Sequence, residues 1–250
     1  MKLILVFLIS ILTFLKPAAQ DVNAIIKEAD RLEAIPNEMA ALAKFKEALK
    51  IKPTHIHALS KSSELCSRIG QRQKNTEMRD NYYLAAKYYA QTALKIDSTN
   101  SEANTSMAIM LGRSTLTKSG KEKVVSAKDL KKHVEAAIKS DPKNFLAWHV
   151  LGRWHYEISN LNMIEKAAVK LLYGGFPPSS LKESIAAFEK SKALTSGFIL
   201  NYLELAKAYH RNDQNNKAIA LLNEMMLIPN HTEDDPGIKE TGKKLLKDWK

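Results

Sequence analysis

Small and apolar residues recur along this chain at spacings of three and four, the signature of helices with one buried face. A small residue is followed four positions later by an aromatic or aliphatic one. A second small residue comes three further on, and a helix stop five beyond that. Ala41, Phe45, Ala48 and Pro53 fit every step. Ala86, Ala90, Ala93 and Ser98 keep the spacing, with Ala90 in the large position and Tyr88 and Tyr89 just before it. Leu130, Val134, Ala137 and Pro142 form a third copy, and Ser184, Phe188, Ser191 and Ser196 a fourth. Ala218, Leu222 and Met225 give a fifth. No run alternates apolar and polar residues for long enough to predict a sheet.

A second helical pattern starts six residues after each stop. Pro53 leads to Leu59, with Cys66 and Gly70 downstream, and Ser98 leads to Asn104, Met107, Ala108 and Leu111. Pro142 leads to Trp148, Leu151 and Gly152, and Ser196 to Tyr202, Leu205, Ala206 and Tyr209. Proline ends a helix because it lacks an N–H and restricts the residue before it. Gly152 has no side chain, so a neighbouring helix can pack against its backbone. Two alternating helix patterns, fullest in the Trp-Leu-Gly copy, resemble the tetratricopeptide repeat, whose period is about 34 residues. The predicted fold is all-α: a tetratricopeptide-like helical-repeat solenoid of about five helix pairs plus a C-terminal helix, spanning residues 22–250. Such a unit buries each pair only against its neighbours and forms one elongated body. Phe45, Ala90, Trp148, Leu151, Gly152, Phe188, Tyr202 and Tyr209 are its expected structural anchors.

Two stretches break the rhythm. Gln71 to Asn81 is polar and charged and reads as a loop or a helix extension. Glu157 to Ser180 is longer. Around it Ile158, Leu161, Ile164, Ala168, Leu171 and Leu172 fall mostly three or four apart, with Lys166 and Lys170 on another face, which predicts an amphipathic helix. Such a helix packs over the repeat edge or contacts lipid. Gly174-Gly175 ends it.

The N-terminus is a separate element. Lys2 precedes an apolar run from Leu3 to Leu15, too short for a membrane span of about 20 residues. The small residues after it make residues 1–19 a secretory signal, the alternative being an uncleaved N-terminal anchor. The chain is therefore expected to be exported, to a periplasm or cell envelope. The single cysteine, Cys66, cannot form an intramolecular disulfide and reads as a buried small hydrophobe.

Net charge is +11 and falls to +9 once Lys2 and Lys16 leave with the leader. A surplus of that sign favours anionic partners: an acidic protein or peptide, or an anionic phospholipid. The lysine-rich stretch from Arg113 to His133 carries no aromatic residue to stack on bases, and no nucleic-acid partner is expected. Chemistry is sparse. His55 and His57 point apart on a helix and lack a third ligand, so no metal site is expected. Glu233, Asp234 and Asp235 precede a helix and read as capping residues. No phosphate loop or nucleophile motif occurs, and neither an enzyme nor a cofactor is predicted.

In this repeat architecture the first helix of each pair lines the concave surface. Its facing positions lie one, five and nine residues past the Trp-type anchor. They give His149, Arg153 and Glu157 after Trp148, and Leu203, Lys207 and Arg211 after Tyr202, with His210 adjacent. Arg68 and Arg113 stand nine past Leu59 and Asn104. Arg68, Arg113, His149, Arg153, Lys207, His210 and Arg211 therefore predict a basic groove that holds carboxylates or phosphates through charge-assisted bonds.

From Ala147 onward the chain resembles the regulator of microtubule dynamics family. The resemblance rests on Leu151-Gly152-Arg153-Trp154, Leu172-Tyr173-Gly174, Pro177-Pro178-Ser179-Ser180 and Ser184-Ile185-Ala186-Ala187-Phe188. It continues through Asn201-Tyr202-Leu203-Glu204-Leu205-Ala206-Lys207 and Pro229-Asn230-His231-Thr232-Glu233-Asp234-Asp235. It implies a helical-repeat domain, with microtubule association, protein tethering and phospholipid binding as roles and no enzymatic activity. A member exported from a bacterium would meet no tubulin, so tubulin is a partner only where the family role holds.

Overall fold

The computed structural model describes residues 21–115 and 119–249. The leader read at residues 1–19, and Lys118, lie outside them. Among the described residues twelve helices follow one another and no strand occurs. They are α1 (Val22–Glu33), α2 (Glu38–Ile51), α3 (Ile56–Arg72), α4 (Thr76–Ile96), α5 (Ser101–Ser114) and α6 (Gly120–Ser140). After these come α7 (Phe145–Asn160), α8 (Met163–Tyr173), α9 (Leu181–Leu194), α10 (Ile199–Arg211), α11 (Asn215–Leu227) and α12 (Asp235–Asp248).

The stops act as the spacing predicts. Helices α2, α4, α6 and α9 each end two residues before Pro53, Ser98, Pro142 and Ser196, and the next helix opens three residues after each. Local chemistry explains the regularity. The residue after each of these helices donates its N–H back to the carbonyl of Ala48, Ala93, Ala137 or Ser191. After the first three stops the following helix is then capped by a side chain: His55 accepts from Ala58 N–H, Asn100 from Ala103 and Asn144 from Ala147. The repeat is longer than about 34 residues, because α4 and α6 each run for 21. Residues 76–81, read as an interruption, are the first turn and a half of α4.

Pairs form between α1 and α2, α3 and α4, α5 and α6, α7 and α9, and α10 and α11. The first helices also pack on one another, α3 on α5, α5 on α7 and α7 on α10, whereas the second helices pack on their partners and on the next first helix, α6 touching α8 as well. The closer layer of first helices is therefore the inner one. Phe45, Ala90, Phe188, Tyr202, Tyr209 and Gly152 are buried as anchors should be. Leu151 is half-buried and packs with Val150 and Trp154. Trp148 departs from the pattern: it is only partly covered, and its Nε1 donates to the carbonyl of Pro142 at 2.9 Å. The buried tryptophan of this pair is Trp154, whose Nε1 donates to Ala127 O at 2.8 Å.

The amphipathic helix expected across Ile158 to Leu172 is divided. Ile158 is buried in α7, and Leu161 ends that helix. Asn162 then starts α8 with a capping box, its side chain accepting from Glu165 N–H while Glu165 accepts from Asn162 N–H. Gly174 closes α8 at φ 74, in the left-handed region that glycine tolerates. No residue of α8 is buried.

Candidate functional site

Most of the basic residues on the first helices are supplied with acids. On α3, Lys61, Arg68 and Arg72 recur at helical spacing with Glu64 between them. Glu33, the last residue of α1, meets Lys61 at 3.2 Å and Arg68 at 2.8 Å. Burial opposes ionisation of Glu33, but Lys61 and Arg68 outweigh it and hold its carboxyl below the usual range. Glu38, the first residue of α2, has a side chain only 1% exposed and takes Arg72 at 2.6 Å and Arg68 at 3.4 Å. Glu64 is buried, and burial raises its pKa above the usual value.

Arg113, in the last turn of α5, differs from the others. Its Nη1 is shut off from solvent and meets no acceptor. Burial and the neighbouring Arg68 bring its pKa down to about 10, against an attraction from Asp234 that falls short of an ion pair. On α7, Arg153 reaches Glu157 at 3.2 Å and Glu204 of α10 at 3.4 Å, and its Nε is left without an acceptor. Lys207 shares Glu204 at 3.1 Å. Arg211 donates to the Tyr156 carbonyl at 3.1 Å and lies over the Tyr156 ring.

His149 does not behave as a groove cation, and His210 is engaged by an aromatic ring. His149 is buried against Phe188 and Phe198, its Nδ1 paired with Asn201 Oδ1 at 3.0 Å, and burial brings its pKa down to about 4. The ring is neutral at pH 7 and joins α7 to α10. His210 stacks on Trp249 of the C-terminal segment with ring centroids 4.0 Å apart.

Sequence reasoning missed Arg72 and its partners. Arg72 lies four residues past Arg68, one turn along the same face, but the stretch from Gln71 reads as an interruption. The turn before α12 reaches it from the other end of the chain. Glu233 meets Arg72 at 3.1 Å and Asp234 meets it at 3.0 Å, while Glu233 also accepts the backbone N–H of Glu38 at 3.0 Å. Only Asp235 serves its own turn, accepting the N–H groups of His231 and Thr232, both at 2.7 Å. The start of α2 and the start of α12 are thereby joined.

The two histidines near Pro53 also separate. His55 caps α3, whereas His57 stands between Asp30 at 2.9 Å and Glu102 at 2.9 Å. The hydrogen bond to Glu102, then that to Asp30, overcome burial and raise the His57 pKa to about 9. It is an imidazolium that ties α1, α3 and α5 together. Cys66 is buried, and desolvation pushes its thiol up to about 11, as a packed hydrophobe requires.

The model of the family "Regulator of microtubule dynamics protein 1-3" matches residues 25–250. The chain is 28% identical over 174 residues to regulator of microtubule dynamics protein 2 of Homo sapiens, covering 69% of this chain and 42% of that protein. It is 26% identical over 170 residues to regulator of microtubule dynamics protein 1 of Caenorhabditis elegans, covering 68% of this chain and 75% of that one. The chain thus spans less than half the length of the human relative. Among solved structures it is similar to a thermophilic tetratricopeptide-repeat protein of Thermus thermophilus, at TM-score 0.63 and 14% identity. That match covers 90% of this chain and 99% of the other, and it shows the fold alone.

Proposed function

This chain belongs to the regulator of microtubule dynamics protein 1-3 family, and we propose from that premise that it is a non-enzymatic helical-repeat scaffold whose inner face holds a segment of a partner protein. The observation that carries this reading is a pair of orphaned donors. Arg113 Nη1 and Arg153 Nε, on the successive first helices α5 and α7, are closed to solvent and meet no acceptor. A buried guanidinium N–H without a partner is costly. A carboxylate laid along the inner face would satisfy both residues by charge-assisted bonds. The inner face as built is a mosaic of both signs rather than a basic trough, so recognition would depend on displacing internal acids at defined places. The partner is sought in the exported compartment to which the leader at residues 1–19 would direct the chain.

The test replaces Arg153, Lys207 and Arg211 with Ala and Glu204 with Gln, since Glu204 would otherwise be left buried and unpaired. The wild-type chain should capture a partner from an envelope extract, and the variant should lose it with an unchanged circular dichroism spectrum. Capture undiminished in the folded variant would sink the groove assignment.

A second reading, contact with anionic phospholipid, is favoured by α8. Met163, Ile164, Leu171 and Leu172 are 65–85% exposed, and they share one half of the helix surface with Ala167 and Ala168. Beside α8 lies a depression of about 410 Å³ lined by Lys128, Lys131, Lys132 and Phe176 among others. An apolar arc next to lysines suits a membrane interface. Phospholipid in an organic extract of the purified protein, or sedimentation with anionic liposomes, is the expected result. A clean extract with no sedimentation eliminates this reading.

A further inference from the structure

We propose that the Thr232–Asp234 turn is a built-in stand-in for an acidic partner segment, seated on a docking site for two successive carboxylates formed by Arg72 and Arg113. The inference rests on the groove reading above and gives one end of that groove a defined ligand chemistry.

The turn already behaves as a bound peptide would. It arrives from the far end of the chain and brings adjacent carboxylates, Glu233 and Asp234, to the two donors of one guanidinium, Arg72 Nη2 at 3.1 Å and Arg72 Nη1 at 3.0 Å. Glu233 adds a backbone contact, accepting the N–H of Glu38. That N–H belongs to the first turn of α2, where a helix leaves donors free and favours an anion. Adjacent acids, a forked cation and a helix terminus together make a recognition pattern for a short acidic peptide.

The seat is only partly filled. Arg113 faces Asp234 but forms no ion pair with it, and its Nη1 has no acceptor. The permanent acids of this end, Glu33 and Glu38, are committed to Lys61, Arg68 and Arg72. Their side chains are nearly covered, at 12% and 1% exposure, whereas those of Glu233 and Asp234 remain 34% and 30% exposed. Ion pairs that water reaches are weak, so the turn is the displaceable half of the cluster. An incoming segment with two neighbouring carboxylates could take the Arg72 fork and extend to Arg113. The internal turn competes from a tether, at an effective concentration in the millimolar range for a short flexible link. The closed chain therefore binds such a segment weakly, and opening the turn exposes the site.

The experiment uses the full chain and a synthetic peptide, Pro-Asn-His-Thr-Glu-Asp-Asp, the sequence of residues 229–235. Fluorescence anisotropy compares wild type with the variant Glu233→Ala/Asp234→Ala. The open variant should bind at least about tenfold more tightly, as removal of a tethered competitor requires. A peptide with its Glu-Asp pair replaced by Ala-Ala should not bind. Arg113→Gln and Arg72→Gln, each added to the open variant with circular dichroism to confirm folding, should each abolish the gain. Equal affinity of wild type and open variant for the peptide overturns the proposal. So does binding of inorganic phosphate or anionic vesicles by the open variant with the peptide excluded. The variant at Arg153, Lys207 and Arg211 touches neither Arg72 nor Arg113, so loss of partner capture there bears on the groove reading alone.

Discussion

Phe188 fills the space that a side chain on Gly152 would need. A Cβ built on Gly152 would stand 2.6 Å from Cδ1 of the Phe188 ring. The ring is fully buried and cannot swing aside into solvent. Ser184 seals the same crossing by donating its hydroxyl to the Gly152 carbonyl at 2.8 Å. Gly152→Ala should therefore lower stability by about 1–3 kcal/mol through overpacking. Denaturant unfolding followed by circular dichroism measures the loss. Adding Phe188→Leu should recover part of it, because the two positions are in contact and their effects should not add.

This crossing was legible in the sequence, because Gly152 and Phe188 each stand at a fixed offset from a helix stop. The stops at Pro53, Ser98, Pro142 and Ser196 work through bonds spanning four residues or fewer, so their effect follows from local spacing. The places of Arg68, Arg113 and Arg153 on the first helices of their pairs follow from the same spacing. Their partners were not. Glu33 and Glu38 sit at helix ends, where a carboxylate reads as a cap or a solvated charge. Glu233 meets Glu38 at a separation of 195 positions, a long-range pairing that no local periodicity encodes. His149 falls at a facing offset, yet the aromatic rings of Phe188 and Phe198 enclose it.

Glu38 holds the N-terminal end of the inner face. Its carboxylate is almost wholly enclosed and receives both Arg68 and Arg72. Glu38→Ala would leave those guanidinium groups short of an acceptor beside the already unpaired Arg113. Breaking a buried ion pair in this way costs about 3–5 kcal/mol, and a loss near the lower end is expected, since Glu33 remains beside Arg68. The control is Arg79→Ala, which removes an exposed contact to Asp80 at 3.3 Å and should cost under about 1 kcal/mol. Equal urea midpoints for the two variants would contradict this account.

His57 makes stability depend on alkaline pH. Its folded-state pKa, near 9, lies above its ordinary value of 6.5, so the folded chain binds a proton that the unfolded chain releases in between. The contribution is complete below about pH 6.5, declines as pH rises toward 9, and is gone above it. Asp30 on α1 and Glu102 on α5 are the acids that keep the proton in place. Unfolding midpoints should fall between pH 7 and 9.5 in the wild-type chain and fall less in His57→Gln. Parallel profiles in the two proteins would show that the bridge carries no linked proton.

The two tryptophans of α7 separate the sequence signature from the physical anchor. Trp148 occupies the position that marks the repeat, but it is partly solvent-exposed and its indole N–H reaches only the Pro142 carbonyl six residues back. Trp154 is 4% exposed, donates to Ala127 of α6, and lies beneath the ammonium of Lys131 at 5.2 Å. It joins two helices, whereas Trp148 ties down one turn. Trp154→Ala should cost about 3–5 kcal/mol, the range for a large buried aromatic. Trp148→Ala should cost less than half of that, because part of its ring already meets water. Differential scanning calorimetry on the two variants ranks them directly. A lower melting temperature for Trp148→Ala would return the anchoring role to the signature residue.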